Sequence, residues 1–303
     1  MESIYHDGEQ AVQARAGVTR MAERIARGIH GEIPPPAAHF LSEARFAVVG
    51  AGRSDGSVWS TVVTGNPGFL DAVDPTRLLV ATRPDEADPL AGIWLEGGEI
   101  GLLAIDFAAR QRMRINGVAR PVPGGLEISP TQVYANCPKH IRPRELSAAT
   151  AGSGTETSVR ASASLSADAQ RLVTRSDTFF IATALSGSGA DASHRGGPRG
   201  LVTVVDQRTL VWPDYAGNTM FQTLGNIEST GRAGLLFVDF DDGDLLHVSG
   251  TARVLWDDPR IAVHAGAERL IELSVSSVVE RRAAFPLRFH DVEADERTEP
   301  CLR

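Results

Sequence analysis

Two stretches in the second half of the chain concentrate side chains that can hold an anion. They are Asp191-Ala192-Ser193-His194-Arg195-Gly196-Gly197-Pro198-Arg199-Gly200 and Trp212-Pro213-Asp214-Tyr215-Ala216-Gly217-Asn218-Thr219-Met220-Phe221-Gln222-Thr223-Leu224-Gly225-Asn226-Ile227. Arg195 and Arg199 offer forked N–H donors to a phosphate, or to a ring that gains negative charge on reduction. Asn218, Thr219, Thr223 and Asn226 are expected on a helical turn after a glycine, where side-chain donors join the free N–H groups of a helix start. Gly196-Gly197 would let the backbone come close to a flat ring. These residue types suit a phosphorylated aromatic cofactor. Any one of them alone would be a capped turn with solvated arginines; their concentration favours a ligand.

The elements that must position these groups come from a duplication. Gly101-Leu102-Leu103-Ala104-Ile105-Asp106-Phe107 matches Gly234-Leu235-Leu236-Phe237-Val238-Asp239-Phe240 at an offset of 133, and the same offset pairs Gly117, Ala119 and Arg120 with Gly250, Ala252 and Arg253. Upstream, Phe46 pairs with Phe180 at 134 and Leu78 with Leu210 at 132. A near-constant offset over such a span reads as a tandem repeat. Each copy shows about six short apolar or alternating runs broken by Gly, Asn and Asp-Pro, the pattern of a small barrel. The expected fold is therefore mainly β with a few helices: tandem barrels packed as an internal pseudo-dimer.

The expected organisation is an N-terminal helical segment over 1–38, a first barrel over 39–145, a linker and short helix over 146–175, a second barrel over 176–290, and an acidic tail over 291–303. Apolar spacing from Val12 to Ile29 predicts one amphipathic helix over 9–29, ended by Gly31 and Pro34-Pro35-Pro36. Residues 147–168 are dominated by Ala, Ser, Thr and Gly, with Ser166 as the cap of a helix from Ala167 to Thr174. The copies differ at the ligand motifs. Where the Asn218 run should fall, copy one has Asp85-Glu86-Ala87-Asp88-Pro89-Leu90, which is acidic and would repel an anion. One site per chain follows.

Composition bounds the function. A net charge of −8 argues against a protein that grips nucleic acid broadly, and only Lys139 among the 30 basic residues is lysine. The two cysteines, Cys137 and Cys301, cannot build a disulfide framework, and the histidines lack metal-ligand spacing, so no metal is expected. The start lacks the pattern of a signal peptide and no apolar run is long enough to span a bilayer, which gives cytoplasmic, membrane-free expectations.

Together with His6-Asp7-Gly8-Glu9, the segments Trp59-Ser60 through Pro67-Gly68-Phe69-Leu70, Arg110-Gln111-Arg112-Met113-Arg114-Ile115-Asn116-Gly117, Tyr134-Ala135-Asn136-Cys137-Pro138-Lys139-His140-Ile141 and Ser176-Asp177-Thr178-Phe179-Phe180-Ile181-Ala182 extend the pattern from residue 6 to 253. In order and density these motifs resemble the pyridoxamine 5′-phosphate oxidase-like FMN-binding split-barrel family, in its two-barrel branch. The resemblance implies a six-stranded split barrel with FMN where two barrels meet. It places Ser193, His194, Arg195 and Gly196 beside the isoalloxazine, and Asn218, Phe221, Thr223, Leu224 and Asn226 at the phosphate and ribityl end. Trp212, Pro213, Asp214 and Tyr215 would shape the wall. Lys139 is expected to touch cofactor or substrate, and Lys139, His194 and Arg195 are the candidate catalytic residues.

The implied activity is hydride transfer between flavin N5 and a small substrate or NAD(P)H. A non-catalytic flavin carrier or sensor, or the same fold holding deazaflavin or haem, stands as the alternative, and a homodimer is a further expectation. Arg110, Arg112 and Arg114 alternate along a strand that lies either at the barrel–barrel interface or on a wet face. Replacing Asn218 or Thr223 should weaken the ligand, and replacing Asp85 or Asp88 should not.

Overall fold

The structure, a computed structural model, describes residues 3–136, 138–147 and 158–292. Cys137, Cys301, the tail from 293 and the middle of the expected linker lie outside the described residues. The single N-terminal helix expected over 9–29 is two, α1 (Asp7–Arg15) and α2 (Thr19–Ala26). Gly17 separates them at φ +71°, a conformation that ends a helix at little cost only for glycine. The proline run opens a helix rather than closing one: Pro34 is the N-cap of α3 (Pro35–Ser42), and the fixed φ of Pro35 suits a first turn whose N–H groups are unpaired anyway.

The first sheet comprises β1 (Phe46–Gly52), β2 (Val58–Thr64), β3 (Leu70–Asp74), β4 (Arg77–Val80), β5 (Gly98–Asp106), β6 (Gln111–Val122) and β7 (Gly125–Ala135), with the short α4 (Ile93–Glu96) before β5. Then come β8 (Arg144–Leu146), β9 (Val159–Ser162) and α5 (Ala167–Arg175), which Ser166 caps by accepting from the Ala169 N–H as expected. The second sheet adds β10 (Thr178–Leu185), β11 (Gly189–Gly196), β12 (Thr203–Asp206), β13 (Thr209–Tyr215), β14 (Arg232–Val238), β15 (Leu245–Leu255) and β16 (Ala267–Arg281), with α6 (Gln222–Thr230) before β14 and β17 (Phe289–Asp291) closing on β8.

Strand order is β2-β1-β5-β6-β7-β4-β3 in one sheet and β11-β10-β14-β15-β16-β13-β12 in the other, the same path twice. Even the irregularity repeats: a bulge at Asn116/Gly117 between β6 and β7 recurs at Ser249/Gly250 between β15 and β16. The registers correct one pairing. Leu103 and Leu236 are counterparts, and they face Val48 and Phe180, so Val48 rather than Phe46 corresponds to Phe180. β9 pairs with β16, so the linker composition extends into a strand.

Seven strands laid flat would spread roughly 28 Å at the usual inter-strand spacing. Yet one apolar cluster takes residues from every strand of the first sheet, among them Val49, Trp59, Leu70, Leu78, Leu102, Ile115 and Leu126, and a separate cluster takes residues from every strand of the second sheet's seven-strand path except β11. Each sheet is therefore wrapped round its own core, giving two split barrels. Between them lies a third cluster in which Phe46, Val48 and Leu103 meet Phe180, Leu236 and Val238. Close approach there requires glycine. A Cβ on Gly101 of β5 would lie 2.6 Å from the Ala192 amide of β11, and one on Gly234 of β14 would lie 2.5 Å from the Val58 carbonyl of β2. The two contacts are mirror partners of an internal two-fold.

Candidate functional site

Opposed residues of an antiparallel pair share a face. In β10–β11, Phe180 opposes His194 and Phe179 opposes Arg195. Phe180 belongs to the inter-barrel cluster and Phe179 to the barrel core, so β11 sends His194 toward the other barrel and Ser193 and Arg195 to the opposite face. The segment Asp191–Gly196 is thus a strand, not the turn that its glycines implied. From β13 the chain passes through Thr219 and Phe221, both at positive φ (59° and 61°), and enters α6 with no side-chain cap. First-turn N–H groups of an α-helix have no intrahelical partner, and the first-turn residues Gln222, Thr223 and Leu224 line a cavity of about 290 Å³.

That cavity lies between the barrels. Copy two lines it with Ser193, His194, Arg195 and Gly196 from β11, Asp214 and Tyr215 from β13, and Asn218, Phe221, Thr223 and Leu224 around the start of α6. Copy one supplies Arg112 and Arg114 from β6, and Asn136, Lys139 and His140 beyond β7. Of the three arginines whose placement the sequence left open, Arg112 and Arg114 therefore sit at the interface, whereas Arg110 lies in the turn before β6 and not on the strand. Sequence reasoning gave no site role to His140 or Gln222, although both fall inside quoted motifs. Trp212 and Asn226 are not in this lining. Trp212 is packed on Phe179 in the barrel core, and Asn226 bonds His6 Nε2 (2.9 Å) and Thr183 Oγ1 (3.0 Å).

Hydrogen bonds across the interface tie the wall together. Asp191, 1% exposed, accepts from Ser193 Oγ (2.8 Å) and Thr223 Oγ1 (2.8 Å) and pairs with Arg114 of the other barrel at 3.4 Å. The Ser193 and Thr223 hydroxyl protons are thereby committed to Asp191, which leaves both residues their shape and their acceptor lone pairs on the cavity wall. Arg114 donates to the Tyr134 hydroxyl, which donates to Gln222. Asn218 Nδ2 donates to Asn136 Oδ1 at 2.7 Å. A Cβ on Gly196 would meet the His140 carbonyl at 2.1 Å, so this glycine lets β11 pass under the 138–141 segment. Gly197 is likewise closed off by Leu201. Lys139 Nζ reaches the Ala216 carbonyl at 3.4 Å, and His140 stacks on Tyr215 with ring centres 5.8 Å apart.

The electrostatics are one-sided. Arg112, Arg114, Lys139 and Arg195 line the cavity against Asp214, whose charge is shared with Arg269 at 3.1 Å beneath it. Burial raises the Asp214 carboxyl despite Arg195 and Arg269. Burial, then the positive charges of Arg112 and Arg195, hold His194 well below the usual histidine range, so it is neutral. Arg112 Nη1 lies 2.9 Å from His194 Nδ1, and because arginine only donates, the ring proton is on Nε2. That Nε2, in a residue 2% exposed, has no hydrogen-bond partner among the described residues.

A pH dependence follows. An unfolded histidine takes a proton below about 6.5, whereas folded His194 refuses it. Stability should therefore be intact above pH 6.5 and fall as pH drops below it, by up to about 1.4 kcal/mol per unit. Urea midpoints between pH 5.5 and 7.5 should show this slope, reduced in a His194→Gln variant.

In copy one the corresponding place is full. Asp88, expected to be dispensable, is 5% exposed, accepts from Thr61 Oγ1, and pairs with Arg281 Nη1 of β16 at 3.0 Å. His247, the counterpart of Arg114, lies 4.0 Å from the same carboxylate. A protein side chain and its counter-ion occupy the position that is open in copy two.

Residues 165–295, from just before α5 to beyond β17, match the model of the family described as Pyridoxamine 5′-phosphate oxidase. The second barrel is thus similar to the pyridoxamine 5′-phosphate oxidase family. Solved structures similar to single barrels of the chain include HupZ of Group A Streptococcus, 15% identical, covering 38% of this chain and 91% of its own with a TM-score of 0.32. A FAD-binding protein of Mesorhizobium loti is 15% identical over 41% of this chain and 98% of its own, TM-score 0.31. A protein of Clostridium acetobutylicum related to general stress protein 26, of the pyridoxinephosphate oxidase family, is 13% identical over 42% and 93%, TM-score 0.27. No curated protein matches the chain. Beside the second barrel, the first barrel repeats the topology but has its equivalent cavity closed by Asp88. Among the described residues no helix is long and apolar enough to cross a membrane.

Proposed function

We propose that the chain binds one FMN in the inter-barrel cavity and works as a flavin-dependent oxidoreductase on a small substrate, with NAD(P)H as a candidate hydride source. The observation that carries this reading is the asymmetry: a cationic cavity built by both barrels at one end of the internal two-fold, and a filled, ion-paired position at the other. Four cationic side chains and the open start of α6 suit a phosphate, and the unpartnered His194 Nε2–H suits a buried acceptor atom. FMN, when bound, would supply the hydride-accepting centre.

The remaining tasks fall to the protein. Arg112 and Arg195 would hold negative charge, His194 would keep its donor in one tautomer, and Tyr215 and Phe221 would wall a flat ring. A volume of about 290 Å³ is at the low end for a cofactor site. A whole FMN therefore displaces the long Lys139–Ala216 bond and the His140–Tyr215 stack, which are exposed and weak. The test is spectroscopic. Protein titrated with FMN should take up one equivalent per chain with a shifted visible spectrum, and NADH or NADPH should bleach it without air. A protein that takes up neither FMN nor FAD would overturn the reading, and a flavin inert to every donor would reduce it to a carrier.

A further inference from the structure

A second cavity, of about 520 Å³, opens on the far side of the wall that Gln222 and Asp191 make. It is lined by the start of α1, by the β10–β11 turn at 187–190, and by Asn116, Gln132 and Asn226. Among the described residues neither arginine nor lysine lines it, whereas Asp7, Glu9 and Asp191 do. Its charge character is opposite to that of the inter-barrel cavity.

The hydrogen-bond network fixes which atoms face inward. Tyr134 donates to Gln222 Oε1, so Gln222 presents Nε2 to Gln132 Oε1 at 2.6 Å. Asn116 must then offer its own Nδ2 to the same oxygen, at 3.2 Å. Its Oδ1 is left without a partner among the described residues, in a residue 5% exposed. Glu9, 3% exposed, accepts from the His6 N–H at 2.8 Å. Among the described residues the one basic side chain paired with it is His6, at 3.7 Å, whose proton affinity burial reduces. Asp191, by contrast, already has Arg114. The α1 start does not ask for an external anion, because His6 and Glu9 form a reciprocal cap and Asp7 adds charge there. What is missing is a donor that carries positive charge.

We propose that this second cavity binds a small ligand through a primary ammonium group, with Glu9 as its counter-charge and Asn116 Oδ1 as a directional acceptor. An ammonium has three donors for such acceptors and gives a full counter-charge to a buried carboxylate that otherwise has only the His6 backbone N–H and a neutral-leaning imidazole beside it. Burial pushes the Glu9 carboxyl up to about 8, with Asp191 of β11 adding to it. The other groups facing it are His6, Tyr5 and Asp7 around its own helix and Tyr134 of β7. Ammonium binding near neutral pH therefore expels the Glu9 proton.

Calorimetric titration of the full chain at pH 7.5, with 1,4-diaminobutane and the shape-matched 1,4-butanediol as probes, tests this. The diamine should bind at least tenfold tighter than the diol, and its heat should vary with buffer ionisation as a proton is released. Glu9→Gln should abolish both the preference and the proton release, with its own thermal midpoint confirming a folded protein. Ser188→Lys, on the exposed turn at the mouth, should lower diamine affinity severalfold without touching the interior. Equal binding of diamine and diol, an unchanged preference in Glu9→Gln, or no binding of the diamine would each overturn the proposal. Flavin-free and flavin-titrated protein should give the same preference, so the outcome is independent of the flavin reading.

Discussion

Asp88→Ala should destabilise the chain by about 3–5 kcal/mol, the usual cost of removing one partner of a buried ion pair. Arg281 is 5% exposed, and without Asp88 its remaining acidic neighbour is the exposed Asp85 at 3.4 Å. Thr61 would lose its acceptor and the Leu90 N–H would lose the Asp88 Oδ1 that receives it at 2.9 Å. Because Asp88 lies in the first barrel and Arg281 at the end of β16, the pair also holds the barrels together. Urea unfolding should show the lost stability, and limited proteolysis should show earlier cleavage between the barrels. A change below 1 kcal/mol would mean that the pair does not close the degenerate position.

The duplication was legible because barrel strands keep their spacing when sequences diverge. Gly101 and Gly234 survive in both copies because each meets the backbone of the opposite barrel. The two-residue error at Phe46 and Phe180 has a physical source as well. Both rings enter the inter-barrel cluster, so likeness of environment was mistaken for likeness of register. The helix break at Gly17 was hidden by apolar spacing that runs on across it. At the site, residue types pointed to Arg195, Asn218 and Thr223, but sequence could not show that Asp191 already takes the Ser193 and Thr223 protons, nor that Asn226 turns away toward His6. The Thr223 and Asn226 contacts join residues 32 and 220 positions apart. The role of Asp88 was missed for the same reason: an acidic run reads as repulsion until its buried arginine, 193 positions later, is placed beside it.

Arg195→Met is expected to weaken FMN binding about 10- to 150-fold under the proposed function, since a hydrogen bond to a charged group is worth about 1.5–3 kcal/mol. Its side chain lines the cavity and bonds otherwise to the His194 carbonyl at 3.3 Å, a contact that methionine can lose without stranding a buried charge. Asp214 keeps Arg269 at 3.1 Å, so the floor of the cavity stays neutralised and the protein should fold. Asp85→Asn is the matched control in copy one. Asp85 stands where Asn218 does in copy two, but its side chain is 64% exposed and its pairing with Arg281 is secondary to that of Asp88. It should leave both stability and FMN affinity within experimental error. Titration followed by flavin fluorescence separates the cases. Loss in Arg195→Met alone locates the phosphorylated ring in the inter-barrel cavity of copy two, whereas equal loss in both variants would place binding at both ends of the two-fold and remove the one-site assignment.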